Sequence, residues 1–192
     1  VENKGWKGKI IKSISTTQMI DRLAKKYGFE IGITPVGFKY ISPAMKDPSV
    51  LIGGEESGGF GFPRHIPERD GVFSDLLLLE YMANDNKTLG ELVYDLQKKF
   101  GPTKYRRMDH HLDQDTIQRV REKMNTLDIP SVCGKKLVHH ETMDGHHFLF
   151  DDDSWLLFRA SGTEPLIRIY AEAPSMDQVE EMLAEGKKRV GL

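Results

Sequence analysis

The stretch FRASGTEPLIRIYAEA places two arginines and two hydroxyl side chains around one short break between apolar segments. Arg159 ends the first segment and Arg168 lies within the second, and a guanidinium carries its N–H donors in a planar fork that suits phosphate oxygens. Ser161 and Thr163 add hydroxyl donors, while Gly162 allows the backbone to bend so that successive N–H groups point into one concavity. These residue types at this spacing predict a binding site for a phosphate dianion.

The same residues also fit an ordinary hairpin turn. In that alternative the serine and threonine hydroxyls bond to their own backbone, and the two arginines are solvated. Two arginines that converge on one loop favour anion binding over the plain turn.

A second candidate site is the glycine-rich loop LIGGEESGGFGFPRHIPERDG at 51–71, which follows an apolar strand. Open α/β sheets bind ligands outside the carboxyl ends of their strands. Glu55 and Ser57 alternate onto one side of the loop, and a carboxylate accepts hydrogen bonds from neighbouring hydroxyls, so Glu55 suits a sugar diol. The alternative is a mobile surface loop, although a loop of this length inside a compact domain is more often functional.

Lys39 follows Gly37 in the segment TPVGFKYI. A lysine here could lie near a phosphoryl group or a sugar oxygen, or it could form the polar side of a short helix. Its position alone does not decide between these two interpretations.

Metal ligation is not predicted at either site. Glu55 and Glu56 are adjacent, so in an extended segment their carboxylates point apart and cannot share an ion. The His-His pairs at 110–111, 139–140 and 146–147 each offer at most one ligand to a site, and no cysteine or acidic partner stands at a familiar spacing.

The elements that must position these residues fall into two groups. The first part alternates between strand and helix patterns, with strands predicted over 8–15, 29–34 and 49–54 and helices over 16–28, 36–46, 71–83 and 88–100. This order predicts an α/β unit with a parallel sheet, in which the run GVFSDLLLLEYMA forms a buried helix.

The second part has a different composition. We predict an extended connector over 103–112, an amphipathic helix over 113–125, strands over 135–142, 146–150, 154–159 and 166–172, and a final helix from Ser175 to about Val190. Strands clustered between two helices indicate a smaller α+β domain with an antiparallel sheet flanked by helices. The predicted domains are 1–104 and 105–192.

The bulk composition narrows the class of partner. With 27 basic and 29 acidic residues the net charge is −2, so the chain as a whole has no electrostatic attraction for nucleic acid or for an anionic membrane. No apolar segment approaches the ~20 residues that span a bilayer. Cys133, the only cysteine, is expected to be a small buried hydrophobe, and it fits a reducing compartment. We therefore expect a cytoplasmic protein that binds a small molecule, with no nucleic-acid or membrane partner.

Taken together in this order, the motifs VGFK at 36–39, GEESGG at 54–59 and RASGTEP at 159–165 resemble the α-D-phosphohexomutase family, which comprises phosphoglucomutases and phosphomannomutases. The resemblance covers essentially the whole chain and is to the C-terminal half of that family. Family enzymes have three similar α/β domains and a smaller fourth domain. The resemblance implies that residues 1 to about 100 are most of the third domain, shortened at its start, and that about 108–192 are the fourth.

The resemblance also implies roles for individual residues. Ring hydroxyls would be bound by Glu55 and Ser57, with Lys39 matching the lysine that some glucose-specific members carry near the substrate. Phosphate would be bound by Arg159, Ser161, Gly162, Thr163 and Arg168. Many bacterial members have His where this chain has Gly59, and this difference favours glucose phosphate as the substrate.

The family's phosphoserine stretch and its Asp-Gly-Asp-x-Asp-Arg magnesium loop do not occur in this sequence. No catalytic and no metal-binding residue is therefore expected here, and the chain alone is expected to be inactive. For the complete enzyme the resemblance implies Mg²⁺, a hexose 1,6-bisphosphate intermediate, a hexose phosphate substrate and two N-terminal domains as partners. The alternatives are a non-catalytic sugar-phosphate-binding module and a relative that acts on glucosamine phosphate.

Overall fold

The structure, a computed structural model, describes residues 2, 4–162 and 164–192. The chain divides into two compact units, one ending at Gly101 and one beginning at Pro102. None of the helices in these described ranges is long and apolar enough to cross a membrane.

The first unit is an α/β domain built on a five-stranded sheet. Its elements are β1 (Lys9–Ser13), α1 (Met19–Tyr27), β2 (Ile31–Thr34), α2 (Phe38–Ala44), β3 (Val50–Gly54), β4 (Phe60–Phe62), β5 (Ile66–Arg69), α3 (Gly71–Asp85) and α4 (Leu89–Phe100). The strand order is β2-β1-β3-β4-β5. Strand β1 is parallel to β2 and β3, which confirms the predicted α/β class, and β4 and β5 extend the sheet antiparallel. The hairpin β4–β5 lies inside the segment predicted as a loop. Its strands were not predicted because they are short and contain glycine and proline.

Local signals in the sequence account for where the helices begin and end. Gly28 ends α1 with a left-handed φ of 70°, which glycine adopts without a steric cost. Thr88 and Glu91 form a capping box at the start of α4, in which each side chain bonds the other residue's backbone N–H. Asp70 begins α3 by accepting a hydrogen bond of 2.9 Å from the Phe73 N–H.

Helix α2 packs against the sheet through a small apolar cluster. The cluster consists of Ile11, Phe38, Ile41, Met45 and Val50, which are buried and packed together. Helix α2 carries the Gly37–Lys39 segment at its start, so this packing fixes that segment beside the end of β3.

Helix α3 differs from its prediction as a buried helix. None of its residues is fully buried, and Val72, Leu76 and Leu79 are 73%, 59% and 58% exposed. The inner side of the helix borders a cavity of about 750 Å³ whose apolar lining comes from α1, β3, β4, α3 and α4. An all-round apolar sequence indicates a helix that is covered on several sides. The prediction of burial is wrong for α3 within these 192 residues.

The second unit is an antiparallel sheet with two helices. Its elements are β6 (Lys104–His111), α5 (Gln114–Asn125), β7 (Ser131–Val132), β8 (Lys135–Glu141), β9 (His146–Phe150), β10 (Trp155–Ala160), β11 (Leu166–Ala173) and α6 (Met176–Val190). The strand order is β6-β11-β10-β9-β8-β7. This arrangement confirms the predicted antiparallel sheet flanked by helices.

The segment predicted as a connector over 103–112 is the edge strand β6. It pairs with β11 along its full length, from Leu166 opposite His111 to Ala173 opposite Lys104. An edge strand can be mostly polar and exposed, so its sequence lacks the apolar signal by which strands are recognised.

Helices α5 and α6 cover one face of this sheet. The buried core there includes Ile117, Val120, Phe158, Val179 and Leu183. Because neighbouring residues of a strand face opposite ways, Arg159 lies on the face opposite to Phe158. The candidate phosphate-binding arginines therefore lie on the sheet face away from this core.

Candidate functional site

The two arginines of the predicted phosphate site lie side by side. Arg159 on β10 and Arg168 on β11 are directly opposite each other in the antiparallel register. Such a pair projects from the same face of a sheet with Cβ atoms about 5 Å apart. The structure therefore brings both side chains to one place, next to the turn that joins the two strands.

Each arginine is also held by a carboxylate on its outer side. The Arg159 Nε donates to Asp144 Oδ2 at 2.9 Å, and the Arg168 Nε lies 3.7 Å from Asp109 Oδ2. The arginine side chains are 20% and 23% exposed. In both ion pairs the printed contact of the guanidinium is made by Nε.

The Arg159–Asp144 pair keeps its guanidinium charged. Burial works against the charge of Arg159, but the hydrogen bond and the negative charge of Asp144 outweigh it and raise the pKa of Arg159. The carboxylates of Asp144 and Asp109 also reduce the net positive charge around this pair of arginines. Asp144 also supplies orientation, since its hydrogen bond fixes the Arg159 guanidinium before any ligand arrives, whereas Arg168 has only the ion pair at 3.7 Å.

The turn between β10 and β11 is closed by its own hydrogen bonds. The N–H of Ser161 donates to the Leu166 carbonyl at 2.8 Å, and the Ser161 hydroxyl accepts from the Glu164 N–H at 3.2 Å. These two amides are therefore already occupied by bonds within the turn. Thr163 lies outside the described residues.

Gly162, predicted to allow the bend of this turn, has a φ outside the left-handed region, and a Cβ placed on it would meet no atom within 4 Å. Gly162 is exposed, with open space above it. The absence of a side chain therefore leaves room for a ligand to approach the backbone.

A third arginine, which sequence reasoning missed, contacts the same turn. Arg121 of α5 donates from Nη2 to the Ser161 carbonyl at 2.8 Å. In the sequence, Arg121 is one of several basic residues on a polar helix, and it lies 40 positions before Ser161. No local pattern could have linked them.

Glu55, the first residue after β3, carries a buried carboxyl group that is 7% exposed. Burial, followed by repulsion from Glu56, raises the pKa of the Glu55 carboxyl. Arg69 and a hydrogen bond from the Gly37 N–H act in the opposite direction. A buried carboxylate with few protein donors retains acceptor capacity for ligand hydroxyls.

Lys39 and Ser57 are the other two predicted sugar-binding residues. The Lys39 ammonium is exposed and lies 4.9 Å from the centre of the Tyr40 ring. Lys39 is two residues from Gly37, whose N–H donates to Glu55, so the segment that carries Lys39 lies next to Glu55. Ser57 is exposed in the same loop, beside Gly58 with a left-handed φ of 90°.

Glu56 also makes contacts that the sequence did not reveal. Its carboxylate accepts hydrogen bonds from Ser13 and Ser15 at 3.0 and 2.6 Å. These serines come from the end of β1 and the following loop, which precede Glu56 by about 40 residues.

The described parts of the chain bring no three His, Cys, Asp or Glu side chains together in an arrangement that could hold a metal ion. Two histidines of the second unit, His140 and His146, lie 3.3 Å apart between Nε2 and Nδ1. One unit thus presents guanidinium groups of a kind that can bind an anion, and the other presents a carboxylate of a kind that can accept from hydroxyls.

Known proteins match both units. Residues 1–100 match the phosphoglucomutase/phosphomannomutase α/β/α domain III, and residues 113–187 match the C-terminal domain of the same family. A phosphoglucomutase/phosphomannomutase of Thermococcus kodakarensis is 35% identical over 97% of this chain. A phosphoglucosamine/phosphogalactosamine mutase of Sulfurisphaera tokodaii is 32% identical over 95% of it. The chain spans 38% of the length of each of these relatives.

Solved structures agree with the sequence matches. A Thermus thermophilus structure described as a phosphomannomutase superposes with a TM-score of 0.79 and 36% identity, covering 98% of this chain and 38% of the other. The phosphoglucomutase parafusin from Paramecium, in its open form, gives a TM-score of 0.73 and 25% identity over 94% of this chain and 37% of its own. Both domain matches and the fold lead to one conclusion: the chain belongs to the phosphoglucomutase/phosphomannomutase family, the α-D-phosphohexomutases, and comprises the family's domain III and C-terminal domain.

Proposed function

We propose that this chain is the substrate-binding part of a phosphoglucomutase/phosphomannomutase. The complete enzyme would interconvert hexose 1-phosphate and hexose 6-phosphate through a phosphoserine and a bisphosphate intermediate. The observation that carries the proposal is the pair Arg159 and Arg168, directly opposite each other on one sheet face beside the Ser161 turn.

The proposed site would recognise phosphate by charge and direction. A charge-assisted hydrogen bond from a guanidinium contributes about 1.5–3 kcal/mol, and a phosphate dianion accepts several. Arg159 and Arg168 would supply these bonds together with Ser161, Gly162 and Thr163, while Arg121 would hold the turn. In phosphoryl transfer such positioning and charge stabilisation account for most of the catalysis.

The proposed sugar site is the loop after β3. Glu55 would accept hydrogen bonds from ring hydroxyls, with Ser57 and Lys39 as further polar contacts. A mutase must hold its bisphosphate intermediate in two orientations. Carboxylate and hydroxyl groups can do so because ring hydroxyls remain similar acceptors and donors after the intermediate has turned over.

No phosphoryl-transfer step is assigned to these residues. We propose that the phosphoserine and Mg²⁺ of the complete enzyme are supplied by other domains, since the described residues do not gather three ligands that would fit the ion. Hexose 1,6-bisphosphate would act as intermediate and activator. The chain alone would bind substrate weakly and would not turn it over.

Helix α3 supports N-terminal domains as partners. Its exposed leucines and the cavity of about 750 Å³ beside it form an apolar surface, and such surfaces often mark interaction sites. The relatives are more than twice as long as this chain, of which they match nearly all. We propose that a segment of the family's preceding sequence covers α3 and fills this cavity. A cytoplasmic location remains part of the same proposal.

The test is a chimeric enzyme. This chain replaces the matching C-terminal part of the Thermococcus kodakarensis relative, and conversion of glucose 1-phosphate is measured. The chimera is expected to be active, and Arg159→Ala should lower kcat/KM at least tenfold, about 1.4 kcal/mol. Arg189→Ala is the matched control, because Arg189 is exposed on α6 and pairs with Glu185. Equal kinetics for the two variants would refute the phosphate assignment.

A second candidate substrate is an amino sugar phosphate, favoured by the relative from Sulfurisphaera tokodaii named as a phosphoglucosamine/phosphogalactosamine mutase. A panel of glucose, mannose and glucosamine 1-phosphates on the same chimera separates these substrates. A non-catalytic sugar-phosphate-binding module would bind these compounds in the 192-residue chain but give an inactive chimera.

A further inference from the structure

The glycine-rich sugar loop has few side chains of its own to hold it in place. Glycines occupy positions 53, 54, 58, 59 and 61. Inside the loop, the Glu55 N–H donates to the Gly59 carbonyl and the Gly58 N–H donates to the Glu55 carbonyl, at 3.0 and 3.1 Å. These bonds shape the tip of the loop but do not attach it to the rest of the unit.

Glu56 makes that attachment. Its Oε2 accepts from the hydroxyls of Ser13 and Ser15, both of which are fully buried at the end of β1 and in the residues after it. The Ser13 hydroxyl also lies 2.8 Å from the Thr16 hydroxyl. Buried hydroxyls require partners, and a carboxylate is the strongest acceptor that a protein offers them.

The direction of each hydrogen bond in this network follows from counting protons. An ionised carboxylate only accepts, so Ser13 and Ser15 must both donate to Glu56. Each hydroxyl has a single proton, and therefore Ser13 can only accept from Thr16. The order is Thr16 to Ser13 to Glu56, with Ser15 as the second donor. Both bonds end on Oε2, so a glutamine whose carbonyl oxygen took that place could still accept them, whereas alanine at position 56 removes the acceptor.

The anchor also determines where Glu55 points. Glu56 is the second residue of a turn that begins at Glu55 and is closed by the Gly58 N–H on the Glu55 carbonyl. The two neighbouring carboxylates have different partners, since Glu56 is held by Ser13 and Ser15 whereas Glu55 accepts from the Gly37 N–H. Fixing Glu56 fixes the start of the turn, and with it the backbone from which the Glu55 side chain projects.

We propose that Glu56 is a positioning residue for sugar recognition: it fastens the loop to β1 through Ser13 and Ser15 and so presents Glu55 to the substrate. The inference rests on the proposed function for its substrate. The anchor itself is a property of the 192-residue chain and can be measured without any activity.

The first measurement is residue-resolved amide hydrogen exchange in the 192-residue chain. Glu56→Ala should speed exchange at the Glu55 and Gly58 amides at least tenfold, and the double variant Ser13→Ala/Ser15→Ala should do the same. Exchange in β10 and β11 should not change. Glu30→Ala is the matched control, because Glu30 is an exposed carboxylate of the same unit. Unchanged exchange at Glu55 and Gly58 would overturn the anchor.

The second measurement uses the chimeric enzyme. Glu56→Ala should raise the KM for glucose 1-phosphate at least tenfold with a smaller change in kcat, and inhibition by inorganic phosphate should stay at the wild-type value. A KM equal to that of Glu30→Ala would overturn the positioning role. A loss of phosphate inhibition as large as the rise in KM would overturn it as well. Failure of the proposed function would give a different result, in which the chimera is inactive or Arg159→Ala has no effect on it. In that case the exchange rates alone would test whether Glu56 fastens the loop to β1.

Discussion

Replacing Gly53 by alanine is expected to destabilise the first unit by about 2 kcal/mol. Gly53 lies in β3 under helix α2, and a Cβ there would come within 2.5 Å of both Ile41 Cγ2 and Met45 Sδ. Both side chains are almost fully buried, with exposures of 0% and 1%, so neither can move out into solvent. Glycine is required here by close packing.

The magnitude follows from two opposing effects. Overpacking a close-packed core costs about 1–3 kcal/mol, and two simultaneous contacts place this site near the upper end. Replacing glycine by alanine also restricts the unfolded chain, which returns about 0.4–1 kcal/mol. The difference is a net loss of about 2 kcal/mol.

The assay is urea-dependent hydrogen exchange of the β3 and α2 amides, which reports on the first unit separately from the second. Gly90→Ala is the matched control, because Gly90 lies in α4 and a Cβ there meets no atom within 4 Å. That variant should be neutral or more stable by up to about 1 kcal/mol. If Gly53→Ala lost less than about 0.5 kcal/mol, α2 would be able to move away from β3, and the rigid placement of Gly37 beside Glu55 would be refuted.

Three further predictions follow from contacts in the two units. Burial raises the pKa of Glu55, so the folded unit binds this proton more tightly than the unfolded chain, and its stability falls as the pH rises above the pKa of the unfolded chain. In urea unfolding, Glu55→Gln should therefore stabilise the unit at pH 7 but not at pH 4, and a difference that does not depend on pH would contradict this. Arg121→Met removes the hydrogen bond to the Ser161 carbonyl and should weaken inhibition of the chimera by inorganic phosphate about fivefold, which corresponds to one hydrogen bond of about 1 kcal/mol. An unchanged inhibition constant would show that the turn is held without Arg121. Thr88→Ala should cost about 1 kcal/mol of unfolding free energy through the lost cap, measured in urea against Thr88→Ser, which keeps the hydroxyl; equal losses in both variants would contradict the capping role.

Much of the fold could be predicted because its signals are local. The strand and helix periods, the capping box at Thr88 and the glycine after α1 each depend on residues within a few positions of one another. Strand β6 was missed because an edge strand is defined by its partner β11, which lies about 60 residues away in the sequence. Cys133 was expected to be buried, but it is exposed in a tight turn with a φ of 47° and lies 3.5 Å from a Glu185 oxygen.

Helix α3 shows a different limit. Its apolar sequence predicts a covered helix, but the sequence of a helix does not say what covers it. Val72, Leu76 and Leu79 are exposed in this chain. The mismatch between pattern and burial is itself informative, since it identifies the surface at which the proposed N-terminal domains would pack.

The two candidate sites share one physical feature that neither motif discloses. The side chain predicted to meet the ligand could be recognised from its type and its loop, as for Arg159 and Glu55. The group that orients it comes from elsewhere: Asp144, 15 residues before Arg159, holds that guanidinium, and Ser13 and Ser15 act on Glu55 through Glu56. Binding a phosphorylated sugar in two orientations requires recognition groups that stay fixed while the ligand turns. These bonds fix the recognition groups before the ligand arrives. A substitution at Asp144 or Glu56 should therefore impair recognition, even though neither residue is predicted to contact the ligand.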